Sequence, residues 1–438
     1  MCVFLLFQGV LQAQQRETNN FEQDAETFAG IYLFNDQRHV IIMPHPDLEL
    51  LSIYDMKTGD VRPLKKTKEN TFVYGPNILS TSPVEGKTSF KVNKRGIAEQ
   101  VVWERVGHNP LKGHRFSFEK EDIEINNAGI SSISGWLLTP PGSGPFPVAV
   151  VAGPGMTDRY NLWRVAMALV IKGIGVIVYD KRNIGNSTGE PLSSHYYSRS
   201  LQHAEDLKAV LQFAMDHPKS DSTKVGFVGW SQTGWISAIA TAKFNNLAFY
   251  VNIAGNANPG WQQDMWNKIS DLRFEEFSEM EIKEAREFLK IHFGLMHKTS
   301  SWEEYQQAIK ADGSENWFKY LENNFRYLWK SEEEAYQYAV KEEENIPADD
   351  FRKVKVPTLG IYFEYDESNP PDGPTIFLES RLEGKNDDVA LHVFPNTSHE
   401  GFIVPGYMTK GGQSKITKIE PRLFQVLQSW VNAQIQIK

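Results

Sequence analysis

The sequence predicts an α/β protein whose mostly parallel sheet is covered by helices on both faces, split by a helical insertion and preceded by a small antiparallel β domain. Three textures along the 438 residues predict it. From 28 to 108, apolar residues alternate at period two between turn signals such as Lys57-Thr58-Gly59-Asp60 and Lys94-Arg95-Gly96, the pattern of half-buried strands joined by tight connections. From 115 to 258, and again from 350 to 438, short apolar runs alternate with helical patterns. Strands apolar on both faces belong to a parallel sheet sandwiched between helix layers. Residues 259–349 between these stretches carry no strand signal, are charged and helical in period, and hold five of the eleven tryptophans. A structureless loop of that length is implausible inside a compact chain, so a helical subdomain is expected there.

Composition excludes several classes of function. The chain is 41% hydrophobic and 23% charged with a formal net charge of −9, a globular balance with no basic field to hold nucleic acid or anionic lipid. Cys2 is the only cysteine, so neither a disulfide within the chain nor a cysteine-based metal site is expected. Around it, Met1-Cys2-Val3-Phe4-Leu5-Leu6-Phe7-Gln8-Gly9-Val10-Leu11 is an apolar run followed by Gln12-Ala13-Gln14-Gln15. It reads as the apolar region and cleavage end of a secretory signal peptide, residues 1–13, which implies a periplasmic or secreted protein. No Lys or Arg precedes the run, and a packed N-terminal strand is the competing reading. The run is about half the length of a membrane span, so no spanning helix is expected.

The sheet elements follow in order. Paired strands at 116–125 and 134–138 lead to a buried strand at 147–151, a helix at 162–172 and a strand at 175–179. A helix at 200–215 comes next, then the strand 225–229, a helix at 232–242 and the strand 249–253. After the insertion, strands at 356–363 and 390–394 and a helix at 420–433 complete the pattern. In that helix Leu423, Val426, Leu427, Trp430 and Val431 form one apolar stripe, with Pro421 in the first turn.

One strand–helix junction carries chemistry. Ser231 stands between strand 225–229 and helix 232–242, in Gly229-Trp230-Ser231-Gln232-Thr233-Gly234. Glycine two residues before the serine lets the strand turn sharply, presenting the hydroxyl at a helix N-terminus. The first helical amides, starting with Gln232, lack intrahelical partners and are free to hold an oxyanion. A serine hydroxyl also needs a base to take its proton and an acid to orient that base. In such sheets the acid follows a later strand and the histidine comes after the acid. Strand 356–363 runs into Glu364-Tyr365-Asp366, and strand 390–394 into Pro395-Asn396-Thr397-Ser398-His399. Asp366 is the preferred acid, with Glu364 and Asp372 as competitors. His399 is the preferred base, because His392 lies within a strand, His292 and His297 in the insertion, and His195 and His203 before the serine.

Gly229-Trp230-Ser231-Gln232 resembles the nucleophile elbow of α/β-hydrolases. Tyr179-Asp180-Lys181-Arg182-Asn183-Ile184-Gly185-Asn186-Ser187 resembles the loop after the fourth strand in bacterial serine esterases and serine aminopeptidase-like hydrolases. Ala152-Gly153-Pro154-Gly155-Met156-Thr157-Asp158-Arg159 resembles the glycine-rich oxyanion loop of that group. The resemblance covers residues 116–436 and implies an α/β-hydrolase sheet, with the helical insertion as its cap, that needs no metal or organic cofactor. Three positions depart from the pattern. Thr233 replaces the glycine that packs on the strand, Asn183 replaces a loop glycine, and Pro154 has no N–H to offer an oxyanion. The second oxyanion donor is then Gly155 or Met156, and Gly155 is preferred. The resemblance implies two-step acyl transfer on a small-molecule carboxylic ester or lactone through an acyl-enzyme on Ser231. A peptidase or amidase and a catalytically silent binding module are the alternatives. The cap tryptophans either roof a pocket roomy enough for a macrolactone or form the core of the cap itself.

Overall fold

The computed structural model describes residues 21–437 apart from 195, 245, 326–327 and 343–345. The run 1–13 read as a signal peptide, and His195, lie outside the described residues.

Helix α1 (Phe21–Phe28) leads into eight antiparallel strands: β1 (Gly30–Phe34), β2 (His39–His45), β3 (Leu50–Asp55), β4 (Val61–Lys68), β5 (Thr71–Tyr74), β6 (Gly86–Val92), β7 (Ala98–Arg105) and β8 (Leu111–Arg115). Each pairs with the next, and β8 returns to β1 in the register Tyr32↔Arg115 to Phe34↔Gly113, closing a barrel. Closure removes the exposed edges that an open sheet would leave. The interior is filled by side chains, with Phe28 of α1 in edge contact with Phe72 and tilted against Phe90. Two strands leave little trace in the sequence. Of the eight residues of β4 only Val61 and Leu64 are buried, and β8 buries only Gly113, so neither shows a period-two apolar signal.

The second sheet begins with the hairpin β9 (Glu119–Asn127) and β10 (Ser131–Thr139) and continues with β11 (Phe146–Ala152), α2 (Trp163–Val170) and β12 (Gly175–Tyr179). After the short β13 (Thr188–Gly189) come α3 (Tyr196–Asp216), β14 (Ser220–Trp230), α4 (Gln232–Thr241) and β15 (Phe249–Ile253). The chain then builds five helices, α5 (Gly260–Phe274), α6 (Glu279–Met296), α7 (Trp302–Asp312), α8 (Asn316–Phe325) and α9 (Glu332–Glu342). It returns through α10 (Pro347–Lys353) to β16 (Thr358–Phe363), α11 (Gly373–Glu383), β17 (Val389–Phe394) and α12 (Arg422–Ile437). The spatial order is β13-β10-β12-β11-β14-β15-β16-β17, with β9 also on β10. Pairing is antiparallel up to β12 and parallel from β12 onward. The chain leaves β11 towards β12 on one side and then crosses to β14 on the other. The carboxyl ends of β11 and β14 therefore flank a switch in strand order, where a crevice opens in such sheets.

The barrel and this sheet share one core. Ile31, Ile41, Met43 and Tyr54 of the barrel join an apolar cluster with α2 and α12, and the Tyr54 ring lies 5.7 Å from Phe424. The helical insertion has its own core of Phe288, Tyr305, Trp317, Phe318 and Trp329. Two of its helices start with reciprocal capping boxes, Ser278 with Glu281 and Ser301 with Glu304, which satisfy amides that a helix start leaves unpaired.

Candidate active site

Ser231 follows the last residue of β14 and stands at the N-cap of α4 with φ 56° and ψ −127°. A non-glycine residue at positive φ is strained and persists only where its surroundings fix it. Here the Ser231 N–H donates to Ile253 O at 2.7 Å, pinning the corner to β15. The turn is so tight that a Cβ on Gly229 would lie 2.6 Å from the Thr233 carbonyl oxygen. Only glycine fits there. Trp230 beside the serine is fully buried, and its Nε1 donates to the carbonyl of His399 at 3.2 Å. Above the Trp230 ring, at 4.7 Å, sits the Arg164 guanidinium, which donates to both the carbonyl and the carboxylate of Glu400. The residues flanking the serine and the histidine are thus tied together across 169 positions of sequence.

Asp366 and His399 lie on the loops after β16 and β17, 5% and 1% exposed. The His399 Nδ1 faces both Asp366 oxygens, at 2.8 and 2.9 Å. A carboxylate only accepts, so Nδ1 carries the proton and Nε2 is left as the basic nitrogen. Three further donors hold the carboxylate: the amides of Ser368 and Asn369 at 2.8 and 2.9 Å, and Asn369 Nδ2 at 2.9 Å. Burial pushes the His399 imidazole down, but the charge and hydrogen bond of Asp366 outweigh it and carry the group up to about 9.

The competitors are placed elsewhere. The Glu364 side chain is exposed and accepts from the Asn396 amide, and Asp372 accepts from Asn258. His203 is buried on α3, His292 is buried in the insertion stacked on Trp329, and His392 lies within β17.

The loop after β11 runs beside the elbow, since Ala152 pairs with Gly229. Four contacts clamp it. Thr233 Oγ1 donates to Gly153 O, Lys181 Nζ to Gly155 O, the Lys181 amide to Thr157 O, and Asp180 accepts from the Arg159 amide and guanidinium. Thr233, which stands where the pattern has glycine, is 2% exposed and spends its hydroxyl on this loop. Gly155 has φ +50°, a left-handed conformation suited to glycine, and Asn183 has φ 62°, which Asn tolerates better than most side chains. Gln232 is the first residue of α4, so its amide points out of the helix start.

Three contributors were not foreseen. Asn369 braces the Asp366 carboxylate and also donates to Ala254 O. Glu367 is 7% exposed and accepts from the His399 amide at 3.1 Å, and burial followed by the charge of Asp366 pushes its carboxyl up to about 7. Trp266 of α5 donates to Asp366 O at 3.0 Å and packs on Tyr407. A side-chain bond to distant backbone leaves no periodic trace, so none of these had a signal to find. Of the cap tryptophans, Trp317 and Trp329 are buried in the cap's own core, whereas Trp261 and Trp266 are half-exposed on α5. Among the described residues no group of His, Cys, Asp or Glu is placed to hold a metal ion, and no helix is long and apolar enough to cross a membrane.

A crossover sheet with an antiparallel start, a strained serine elbow at its switch point and a helical cap after β15 is the α/β-hydrolase fold. The small antiparallel β domain precedes it as a closed barrel. No family model matches the chain. Over 159 residues it is 24% identical to the polyketide transferase af380 of Aspergillus fumigatus, a segment that is 36% of this chain and 52% of that protein. Over 120 residues it is 32% identical to the esterase FrsA of Enterobacter sp., 26% of this chain and 27% of that protein. The chain thus matches about half of the first relative's length and about a quarter of the second's. Among solved structures, the esterase Pf2001 of Pyrococcus furiosus aligns with a TM-score of 0.44 at 15% identity, covering 73% of this chain and 91% of its own.

Proposed function

We propose that the protein is a serine hydrolase that cleaves carboxylic esters or lactones through an acyl-enzyme on Ser231. The observation that carries this reading is the His399 imidazole, buried, bonded through Nδ1 to both oxygens of Asp366 and anchored by its backbone to the residue before Ser231. As Ser231 attacks the ester carbonyl, His399 Nε2 takes its proton, and the tetrahedral oxyanion is held by the Gln232 amide and by an amide of Gly155 or Met156. The imidazolium then protonates the leaving alcohol. Water repeats the sequence on the acyl-enzyme, with Asp366 stabilising the imidazolium each time. No metal or organic cofactor has a role in these steps.

Two features bear on the substrate. Trp317 and Trp329 are consumed by the core of the cap, which removes much of the aromatic surface a macrolactone pocket would use. Trp266 of α5 remains as partly exposed apolar surface on the acid side of the site, since it is bonded to Asp366 O. An ester with a modest apolar acyl group suits this arrangement. A fluorophosphonate probe tests the nucleophile. Wild type should be labelled and Ser231→Ala should not; unlabelled wild type, or labelling that survives the substitution, would refute the serine mechanism. Rates on 4-nitrophenyl esters should exceed those on matched 4-nitroanilides. Faster anilide cleavage would make the protein an amidase instead.

A further inference from the structure

Asp180, Lys181 and Arg182 are consecutive and nearly completely buried, at 2%, 3% and 1% exposure. Asp180 is bonded to Arg159, and Arg182 to Asp206 through two nitrogens. Lys181 forms no ion pair among the described residues; its Nζ donates to the Gly155 carbonyl. The groups packed around it, with which it shares a small cavity, are Tyr179, Arg182, His203, Asp206 and Thr233. Arg182 and Asp206 are already paired, and burial holds His203 down to about 3, hence neutral. An unpaired buried ammonium costs several kcal/mol, and burial accordingly pushes Lys181 down to about 7. The amine and the ammonium both carry an N–H, so the bond to Gly155 survives in either form.

That bond orients one peptide unit. In a planar trans peptide the carbonyl and the following N–H point to opposite sides. With the Gly155 carbonyl drawn inward to a buried lysine, the Met156 N–H faces the other way. No backbone acceptor among the described residues takes that N–H, and Met156 is 40% exposed. Pro154 has no N–H at all.

We propose that Lys181 is the positioning residue of the oxyanion site: by holding the Gly155 carbonyl from beneath, it aims the Met156 N–H, rather than that of Gly155, at the oxyanion opposite the Gln232 N–H. The assignment rests on the serine-hydrolase reading above and deepens it.

The test uses Lys181→Met and Lys181→Arg with 4-nitrophenyl butyrate, and with a trifluoromethyl ketone that adds to the serine as a tetrahedral oxyanion. Lys181→Met should lower kcat by about ten- to a hundredfold, part of what one oxyanion donor is worth, with KM within about twofold. Ketone affinity should fall by a similar factor, which a loss of packing alone would not produce. Lys181→Arg should recover most of kcat, since a guanidinium can donate to the same carbonyl. Replacing residue 156 by its α-hydroxy counterpart, which exchanges the amide for an ester and deletes the N–H, should cost at least about tenfold more in kcat than the same change at 155. That comparison decides the matter if Lys181→Met does not fold. Folded Lys181→Met with wild-type kcat, or a larger loss at 155 than at 156, would overturn the assignment. Full activity in Ser231→Ala would instead overturn the serine reading itself, so the two failures are distinguishable.

Discussion

Asp366→Asn is the substitution whose outcome the geometry fixes most tightly. Oδ1 of Asp366 accepts from the amides of Ser368 and Asn369, and Oδ2 accepts from Asn369 Nδ2, while His399 Nδ1 lies within 2.9 Å of both oxygens. An asparagine must keep its oxygen towards the two amides, so its NH2 group turns towards His399. That NH2 group, at the Oδ2 position 2.9 Å from Nδ1, favours the imidazole that accepts at Nδ1 and carries its proton on Nε2, and a protonated Nε2 cannot take the serine proton. Loss of the right tautomer is worth about 10⁴ in kcat, or about 5 kcal/mol of barrier. The lost charge gives a similar figure: opposite unit charges 2.8 Å apart at an effective dielectric of about 20 attract by about 6 kcal/mol, which is what the imidazolium forfeits. The pH profile supplies an independent readout. In wild type the base form of His399 is scarce below its raised pKa of about 9, so kcat/KM should rise through the alkaline range, with its acid limb above 6.5. In Asp366→Asn the charge and hydrogen bond that raise the imidazole most are gone, leaving burial, which lowers it, against the smaller upward pull of Glu400 and Glu367. The acid limb of the residual activity should therefore move to lower pH. Steady-state hydrolysis of a 4-nitrophenyl ester from pH 6 to 10, with thermal melts at each pH, measures both. A loss under a hundredfold with the alkaline limb intact would refute the reasoning.

Two other substitutions separate charge burial from catalysis. The raised carboxyl of Glu367 stabilises the fold fully below its unfolded pKa near 4.5, and that contribution is lost as pH rises through about 7. Glu367→Gln keeps an acceptor for the His399 amide and removes the buried charge, so it should be more stable above pH 7 by up to about 3 kcal/mol, with no gain at pH 4; urea melts at both pH values check this, and an equal gain at both would refute it. Asp206→Asn breaks the buried bidentate pair with Arg182 and disturbs the bonds from Asn127 and Ser131. It should cost about 3–5 kcal/mol in urea unfolding, and a cost below about 1 kcal/mol would mean that the pair is solvated.

Much of this was legible in the sequence because the relevant signals are local. Alternating wholly apolar runs and helices declare a parallel sheet, and Gly229-Trp230-Ser231 at a strand–helix junction declares a sharp turn whatever the distant chain does. The order of Ser231, Asp366 and His399 follows from the loops on which they sit. Illegible were β4 and β8, which bury only two residues and one residue and are held in the barrel by backbone pairing on both sides. Thr233 looked like a departure because only the fold shows that its hydroxyl reaches Gly153. Asn369, Glu367 and Trp266 bond through their side chains to backbone groups 32 to 115 residues away, and such bonds leave no pattern in sequence spacing.

The departures from the usual motif are better understood together than singly. A proline at 154 removes one amide from the loop that must bind an oxyanion, and Thr233 crowds the elbow where glycine would be easier. Both changes would loosen the loop if nothing else differed. Yet the Thr233 hydroxyl holds Gly153, Lys181 holds Gly155, and Asp180 holds Arg159, so the segment is gripped at both ends and in the middle. The grip is built from buried charges, which stabilise a fold poorly compared with apolar packing of the same volume. A chain selected for stability alone would have no reason to bury Asp180, Lys181 and Arg182 in a row. They gather at the carboxyl ends of β11, β12 and β14, where Ser231 is held at φ 56°. Buried charges in a row beside a serine held at positive φ mark a place where geometry has been favoured over stability.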